Sequence, residues 1–419
     1  MAGLPACYPR GSRIDDGGDL VVGGCSVAGL CREFGTPVYL YDEADLRGRA
    51  REYRAEFENR HPDSEVLFAS KAFPCTAAYA LFAEEGLSCD VASRGELYLA
   101  LQGGMDPARI YLHGNAKDDA DIAAAIDAGV GCVVIDSFDD IDRLERLVGD
   151  RQRVFLRVNP EVEADTHEAV RTGHSGSKFG LRREAARQAI ERLGASDRLE
   201  LTGLHVHVGS QILELGPFAR ALDALAGLGD FAEYDLGGGL GIPYRSTDSA
   251  PSVAAYAETL TTAVGRQPGA GVRLLVEPGR SLVGNAGITA YRVVSVKRDV
   301  VVHVAVDGGM GDNLEPSLYG TEFEARLLGS REPFEPAQVV GKHCESGDVL
   351  VRHAELPRAR PGDLIVTPAT GAYCFTMANN YNGQPRPPVV FCVDGDARLV
   401  VRRETLADLT ARDVGRAAR

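Results

Sequence analysis

The apolar run Val66–Ser70 in VLFASKAFP ends on a lysine, Lys71. An ammonium group there either snorkels outward along its alkyl stem or is held inward for its amine. The segment LLVEPGR places Glu277 at the end of another apolar run, followed by a Pro-Gly turn (Gly279) and Arg280. A buried carboxylate needs a cationic partner, and a surface salt bridge on the turn is the plainer alternative. In DLGGGLGIPY, Gly237, Gly238 and Gly239 follow one another. Such a run lets backbone N–H groups approach an anion closely. The alternative is a mobile turn, since the stretch has neither a P-loop lysine nor dinucleotide-fingerprint spacing.

GLHVHVGSQI carries His205 and His207, expected on one side of a strand, and then breaks at Gly209-Ser210. No third ligand at zinc-type spacing follows. The pair therefore reads as hydrogen-bonded core histidines, or as an imidazole laid against a planar ligand, and no metal is expected. Cys344, beside Glu345 in GKHCESGDVL, reads from its own neighbours as a packing cysteine. Amine, carboxylate, imidazole and glycine cradle together describe a ligand with a phosphate, an aromatic ring and a cationic nitrogen. A lysine able to form a Schiff base completes the requirements of pyridoxal 5'-phosphate.

These residues need a scaffold that brings strand ends together. Strand-like runs fall at 66–70, 87–91, 110–113, 132–135, 154–158, 203–207, 233–236 and 273–276, and Ala/Leu-rich helical stretches lie between them. The alternation predicts a (β/α)8 barrel over residues 36–280, with an open doubly wound sheet as the alternative that periodicity does not separate. Just past the strands stand Lys71, Asp90, His113-Gly114-Asn115, Asp136, Asn159, His207, the glycine run and Glu277. In a barrel these ends share one face, where active sites are built. From about residue 281 to 419 the runs become valine-rich and turn-punctuated, which predicts a mostly β domain. Residues 1–35, with the strand-like DLVVGG, are expected to join it.

The chain has 419 residues, too many for one ordinary core. A net charge of −15 argues against a nucleic-acid partner. Nine scattered cysteines without a C-x-x-C pair point to free thiols in a reducing compartment. Neither a signal-peptide pattern nor a membrane-length apolar run is present, so the expected location is the cytoplasm.

The segments FASKAF, CDVASRGELYLAL, HGNAK, HVHVGSQI, DLGGGLGIPY, EPGRSLVGNAG, VDGGM, CESGDVL, GAYCFTMANNYNGQPRP and RRET, in this order, resemble the diaminopimelate decarboxylases. These are fold-type III, alanine-racemase-like pyridoxal phosphate enzymes. The resemblance implies a barrel plus a β domain built from both chain ends, and a homodimer with active sites at the subunit interface. It also implies decarboxylation of an amino acid, meso-diaminopimelate to L-lysine and CO2. Lys71 matches the Schiff-base lysine, His207 the histidine stacked on the pyridine ring, and Asp90 a strand-end acid near the cofactor. Gly209, Ser210 and Gly237 to Gly239 match the phosphate cradle. Glu277 matches the carboxylate paired with the ring nitrogen, and Arg280 an arginine shared by cofactor and substrate. Cys344 resembles the proton donor supplied by the partner subunit, with Glu345 beside it. Tyr373 resembles a tyrosine at the cofactor, and Tyr319 one that contacts substrate.

One position departs from the pattern. The family usually carries an arginine shortly before the tyrosine of the LYG motif, and here DNLEPSLYG has Glu315. A carboxylate facing the substrate's distal carboxylate at ~4 Å would be repelled by about 4 kcal/mol at an effective dielectric of ~20. Either Glu315 points away, or the substrate differs, as in a lysine-, ornithine- or arginine-like decarboxylase. A racemase or a non-catalytic homologue fits the motifs less well.

Overall fold

Eight strands alternate with helices along the middle of the chain: β1 (Ser64–Ala69), β2 (Ser88–Val91), β3 (Ile110–Leu112), β4 (Cys132–Ile135), β5 (Gln152–Arg157), β6 (Leu199–His205), β7 (Glu233–Asp235) and β8 (Arg273–Val276). The computed structural model describes residues 3–162, 177–265, 271–329 and 332–415. Each strand pairs in parallel with its sequence neighbours, and β8 pairs with β1 through Val276↔Val66, closing the barrel. Closure excludes the open sheet. Strands such as CVVI are buried throughout because helices cover the outside and side chains fill the inside. Leu67, Tyr111, Cys132, Val134, Phe155 and Leu275 form one buried cluster from these strands.

The loops after β2, β3 and β4 end in N-caps. Ser93, Asp118 and Ser137 each accept a backbone N–H of the helix that follows. The loop after β3 is also pinned from below by Lys117. Its Nζ donates to Gly114 O (2.6 Å) and Val134 O (2.8 Å) and pairs with Asp140 at 2.8 Å. Asp140 in turn accepts the Asp136 N–H.

The chain divides into two compact units. One comprises Arg47–Ile242 and Ser249–Leu282, the barrel; the other comprises Met1–Leu46, Pro243–Asp248 and Val283–Arg419. The second unit is built on a nine-stranded sheet. Its N-terminal contribution reaches beyond residue 35 because the strand Val38–Asp42 pairs antiparallel with Gly287–Arg298 and parallel with Val389–Val393. The mostly β domain is thus assembled from both chain ends, as the sequence predicts. Among the described residues no helix is long and apolar enough to cross a membrane.

Candidate active site

At the C-terminal ends of the barrel strands, Lys71 sits in a single 3-10 turn (Ser70–Ala72) directly after β1. Its side chain is solvent-exposed, yet its charge acts on Asp90 and His207. Lys71 therefore lies within electrostatic reach of buried groups at neighbouring strand ends. The turn after β8 is stitched to the same strand end, since the Ala69 N–H donates to Pro278 O (3.1 Å). A Cβ on Gly279 would lie 3.0 Å from Ala69 Cβ, so glycine permits this approach of Glu277 to the lysine strand.

Glu277 is buried; Oε2 is hydrogen-bonded, whereas Oε1 has a close imidazole contact that lacks hydrogen-bond alignment. His113 Nε2, just past β3, lies 2.8 Å from Oε1. His205 Nε2, at the end of β6, lies 3.4 Å from Oε2. The two imidazoles meet edge to face, with centroids 4.9 Å apart. Burial opposes charge on Glu277, but the imidazoles outweigh it and hold the carboxyl well below its usual range. Burial also pushes His205 down to about 4. This histidine is neutral at pH 7 with its proton on Nε2, because the carboxylate oxygen can only accept. Asp235, the last residue of β7, is fully buried and accepts the Gly237 N–H at 2.9 Å. Burial and the neighbouring Glu277 charge raise it well above the carboxylate range. The same two causes, in the same order, raise Asp90 above the carboxylate range, with Lys71 opposing.

His207 lies in the loop beyond β6, not on the strand, because β6 begins at Leu199 and ends at His205. The Gly238 N–H donates to His207 Nδ1 (3.1 Å), which leaves the ring proton on Nε2. Burial and the Lys71 charge push His207 well below its usual value.

The two glycine-bearing loops are zipped together. Ile212 N–H donates to Gly239 O and Gly241 N–H to Ile212 O, both at 2.9 Å. A Cβ on Gly238 would stand 2.0 Å from Glu277 O, and one on Gly239 2.3 Å from Gly209 O. Arg280 is buried and directs Nε and Nη2 at Ser210 Oγ, each at 3.4 Å. The barrel thus brings Gly209, Ser210, the glycine run, Glu277 and Arg280 into one contiguous set.

The sequence places His113 among the strand-end residues without a specific role, reads His205 as a hydrogen-bonded core histidine or an imidazole against a planar ligand, and assigns nothing to Asp235 or Arg157. Arg157 ends β5, 3.6 Å from Asp136 and over the ring of Phe179, and its charge reaches Glu277, Asp235 and Asp90. The available signal was position, since all four close a strand or follow one.

The remaining candidates lie in the sheet unit. Cys344 is exposed, and its N–H donates to Asn382 Oδ1 at 2.7 Å. Its turn is closed by Asp348, which accepts from the backbone N–H groups of His343 and Met310 and contacts the His343 ring. Glu345 is exposed beside it. Tyr373 has φ 63° and caps the short helix Cys374–Met377. Tyr319 reaches Met377 Sδ at 4.0 Å. The segment from Tyr373 to Asn382 therefore touches both Tyr319 and Cys344. Glu315 is fully buried at the start of the helix Glu315–Tyr319, where the Tyr244 hydroxyl donates to Oε2 at 2.9 Å.

Comparison with known proteins bears on this arrangement. Residues 43–284 match the family described as the pyridoxal-binding domain of pyridoxal-dependent decarboxylases. The diaminopimelate decarboxylase of Actinosynnema pretiosum subsp. auranticum is 43% identical over 99% of this chain and 98% of its own. That of Mycobacterium tuberculosis (strain H37Rv) is 42% identical over 98% of each. The crystal structure of the M. jannaschii diaminopimelate decarboxylase with L-lysine superposes with a TM-score of 0.91 at 30% identity, covering 97% of this chain and 98% of that one.

Proposed function

The chain belongs to the diaminopimelate decarboxylase family of pyridoxal-dependent carboxy-lyases, and from that premise we propose that it converts meso-diaminopimelate to L-lysine and CO2 at the mouth of its barrel. The observation that carries the reading is the convergence of the Lys71 turn, the bracketed Glu277 carboxylate and the Ser210–Arg280–glycine cradle on one barrel face.

The residues fit pyridoxal 5'-phosphate by chemistry. Lys71 offers an amine for its aldehyde, Glu277 a permanent anion for its ring nitrogen, and the loops at Gly209-Ser210 and Gly239 donors for its phosphate. Gly237 and Gly238 direct their N–H groups inward to Asp235 and His207, so the anion-binding share of the run falls to Gly239. When bound, the cofactor supplies an electron sink for the pair of electrons left by departing CO2. Neutral His207 presents a flat face to the ring without adding a competing charge. Lys71 accepts and returns protons at the reacting end, and Arg280 binds carboxylate or phosphate.

The sheet unit supplies the rest of the reading. Cys344 of the partner subunit donates the proton to Cα, within a homodimer whose sites are shared. Glu345, Tyr319 and Tyr373 line the substrate side. Glu315 takes a supporting part there, because its carboxylate is committed to Tyr244, and this favours diaminopimelate over a substrate with an altered distal end. The reaction belongs to cytoplasmic amino-acid synthesis.

The test is CO2 release by purified, cofactor-loaded protein from meso-diaminopimelate, lysine, ornithine and arginine. Turnover confined to diaminopimelate is expected, and preferential turnover of any of the other three would overturn the substrate assignment. Separately, Glu315→Ala removes the acceptor of a buried hydroxyl and should destabilise the protein by about 1–3 kcal/mol in urea unfolding. Glu315→Gln should recover most of that loss. An alanine variant as stable as the parent would show the bond to be idle.

A further inference from the structure

We infer that His113 and His205 are positioning residues of the decarboxylation, locking the Glu277 carboxylate in place and in its anionic form opposite the cofactor's ring nitrogen. The inference rests on the proposed reading of the site and adds to it two residues that do not themselves touch the reacting atoms.

Geometry carries it. The imidazoles stand at different oxygens. His205 Nε2 is hydrogen-bonded to Oε2 (3.4 Å), and His113 Nε2 lies 2.8 Å from Oε1 as a close ion-pair contact without hydrogen-bond alignment, so rotation of the carboxylate gives up both contacts. A carboxylate oxygen has more than one acceptor direction, which leaves each with capacity for a further donor. Both arms stand on rigid elements. His205 is a residue of β6, and the His113 N–H donates to Val91 O at 2.7 Å. The turn after His113 is tied down by the buried Lys117–Asp140 pair. Edge-to-face contact locks the rings against each other. Desolvation makes an unsupported carboxylate at this depth costly, and it would take up a proton of its own. The other titratable and charged groups around it are Asp235 and Asp90, both raised well above the carboxylate range by burial and by the Glu277 charge, the buried cation of Arg157 beside Asp136, and His207. The four side chains His113, His205, Asp235 and Glu277 place ligand-type atoms within 4.8 Å of one another. That geometry also suits a divalent metal, and the experiment separates the two.

Protein is loaded with pyridoxal phosphate carrying 15N in the ring, and the nitrogen's NMR shift reports its protonation directly. The parent should show a pyridinium-type shift. His113→Leu and His205→Leu, singly and together, should move it toward the neutral pyridine value, while His113→Gln and His205→Gln, which keep an N–H at the same reach, should hold it. In the leucine variants kcat should fall roughly tenfold per imidazole, the equivalent of about one pKa unit, with KM little changed. Should the leucine variants fail to fold, His113→Asn and His205→Asn, polar but too short to reach, are read the same way. An unmoved shift in variants that bind the cofactor overturns the inference. So does one equivalent of divalent metal in the purified parent that is lost in the variants. A parent that takes up no labelled cofactor gives no bound signal at all, which overturns the proposed function and this inference with it.

Discussion

Lys71→Ala is expected to abolish the visible absorbance of lysine-bound cofactor and to lower decarboxylation by roughly 10²–10⁴-fold, the range for loss of a positioned proton-transfer group. The variant isolates chemistry from folding. Lys71 is exposed, and the 3-10 turn that carries it is bordered by buried Ser70 and Ala72. Alanine keeps that backbone, so thermal unfolding should be nearly unchanged. Removing the ammonium also removes a charge that acts on two neighbours. Asp90 loses a stabiliser of its ionised form, and His207 loses a repulsive neighbour. Exogenous methylamine should restore part of the activity by supplying the missing amine. An alanine variant with parental absorbance and turnover would remove Lys71 from the mechanism.

Glu277→Gln should lower kcat by about 10²–10³-fold, the usual loss when one preorganised electrostatic partner is removed, with a smaller change in KM. Glutamine has nearly the same shape, so the loss is one of charge and hydrogen-bond direction. Its carbonyl can still accept from one imidazole, but its amide must then present N–H to the other. His205, neutral with its proton on Nε2, would have to change tautomer to accept. The sign of the pH behaviour follows from the geometry. A carboxyl held below its usual range is fully charged above the ordinary carboxylate pKa and loses its charge only as pH falls through the lowered value. Glu277 thus stays ionised through the neutral range, and a pH–rate profile should contain no acid limb near the ordinary carboxylate value attributable to it. A Glu277→Gln enzyme within threefold of the parent would refute the ring-nitrogen role.

The positions of all eight barrel strands were legible, because parallel strands buried on both faces read as unbroken apolar runs such as CVVI and RLLV. Closure was not, since it depends on Val276 finding Val66 and no local pattern encodes that pairing. Lys71 and Glu277 stood out because a charge at the end of an apolar run is conspicuous in one dimension. The partners of Glu277 did not. His205 lies 72 residues away in sequence, and an imidazole's partner is decided by which strand ends meet. The alternation in GLHVH suggested one strand bearing both histidines, whereas the strand stops at His205 and hands His207 to the glycine loop. Glu315 read as a departure from a family pattern. Its bond to Tyr244 depends on residues 243–248 grouping with the sheet unit, which composition does not reveal.

The strand Val38–Asp42, buried along its whole length between Gly287–Arg298 and Val389–Val393, has a consequence for biosynthesis. It leaves the ribosome well before one of the two strands that complete it. Its partner Val389 is translated about 350 residues after Tyr39, a delay on the order of 20–70 s at typical elongation rates. During that interval VYLYD is an apolar segment with open hydrogen-bonding edges, the kind that recruits other nascent chains. All the barrel strands emerge within that window and pair with one another. Production of this protein should therefore be limited by chaperone capacity for a waiting N-terminal strand more than by assembly of the barrel that carries the chemistry.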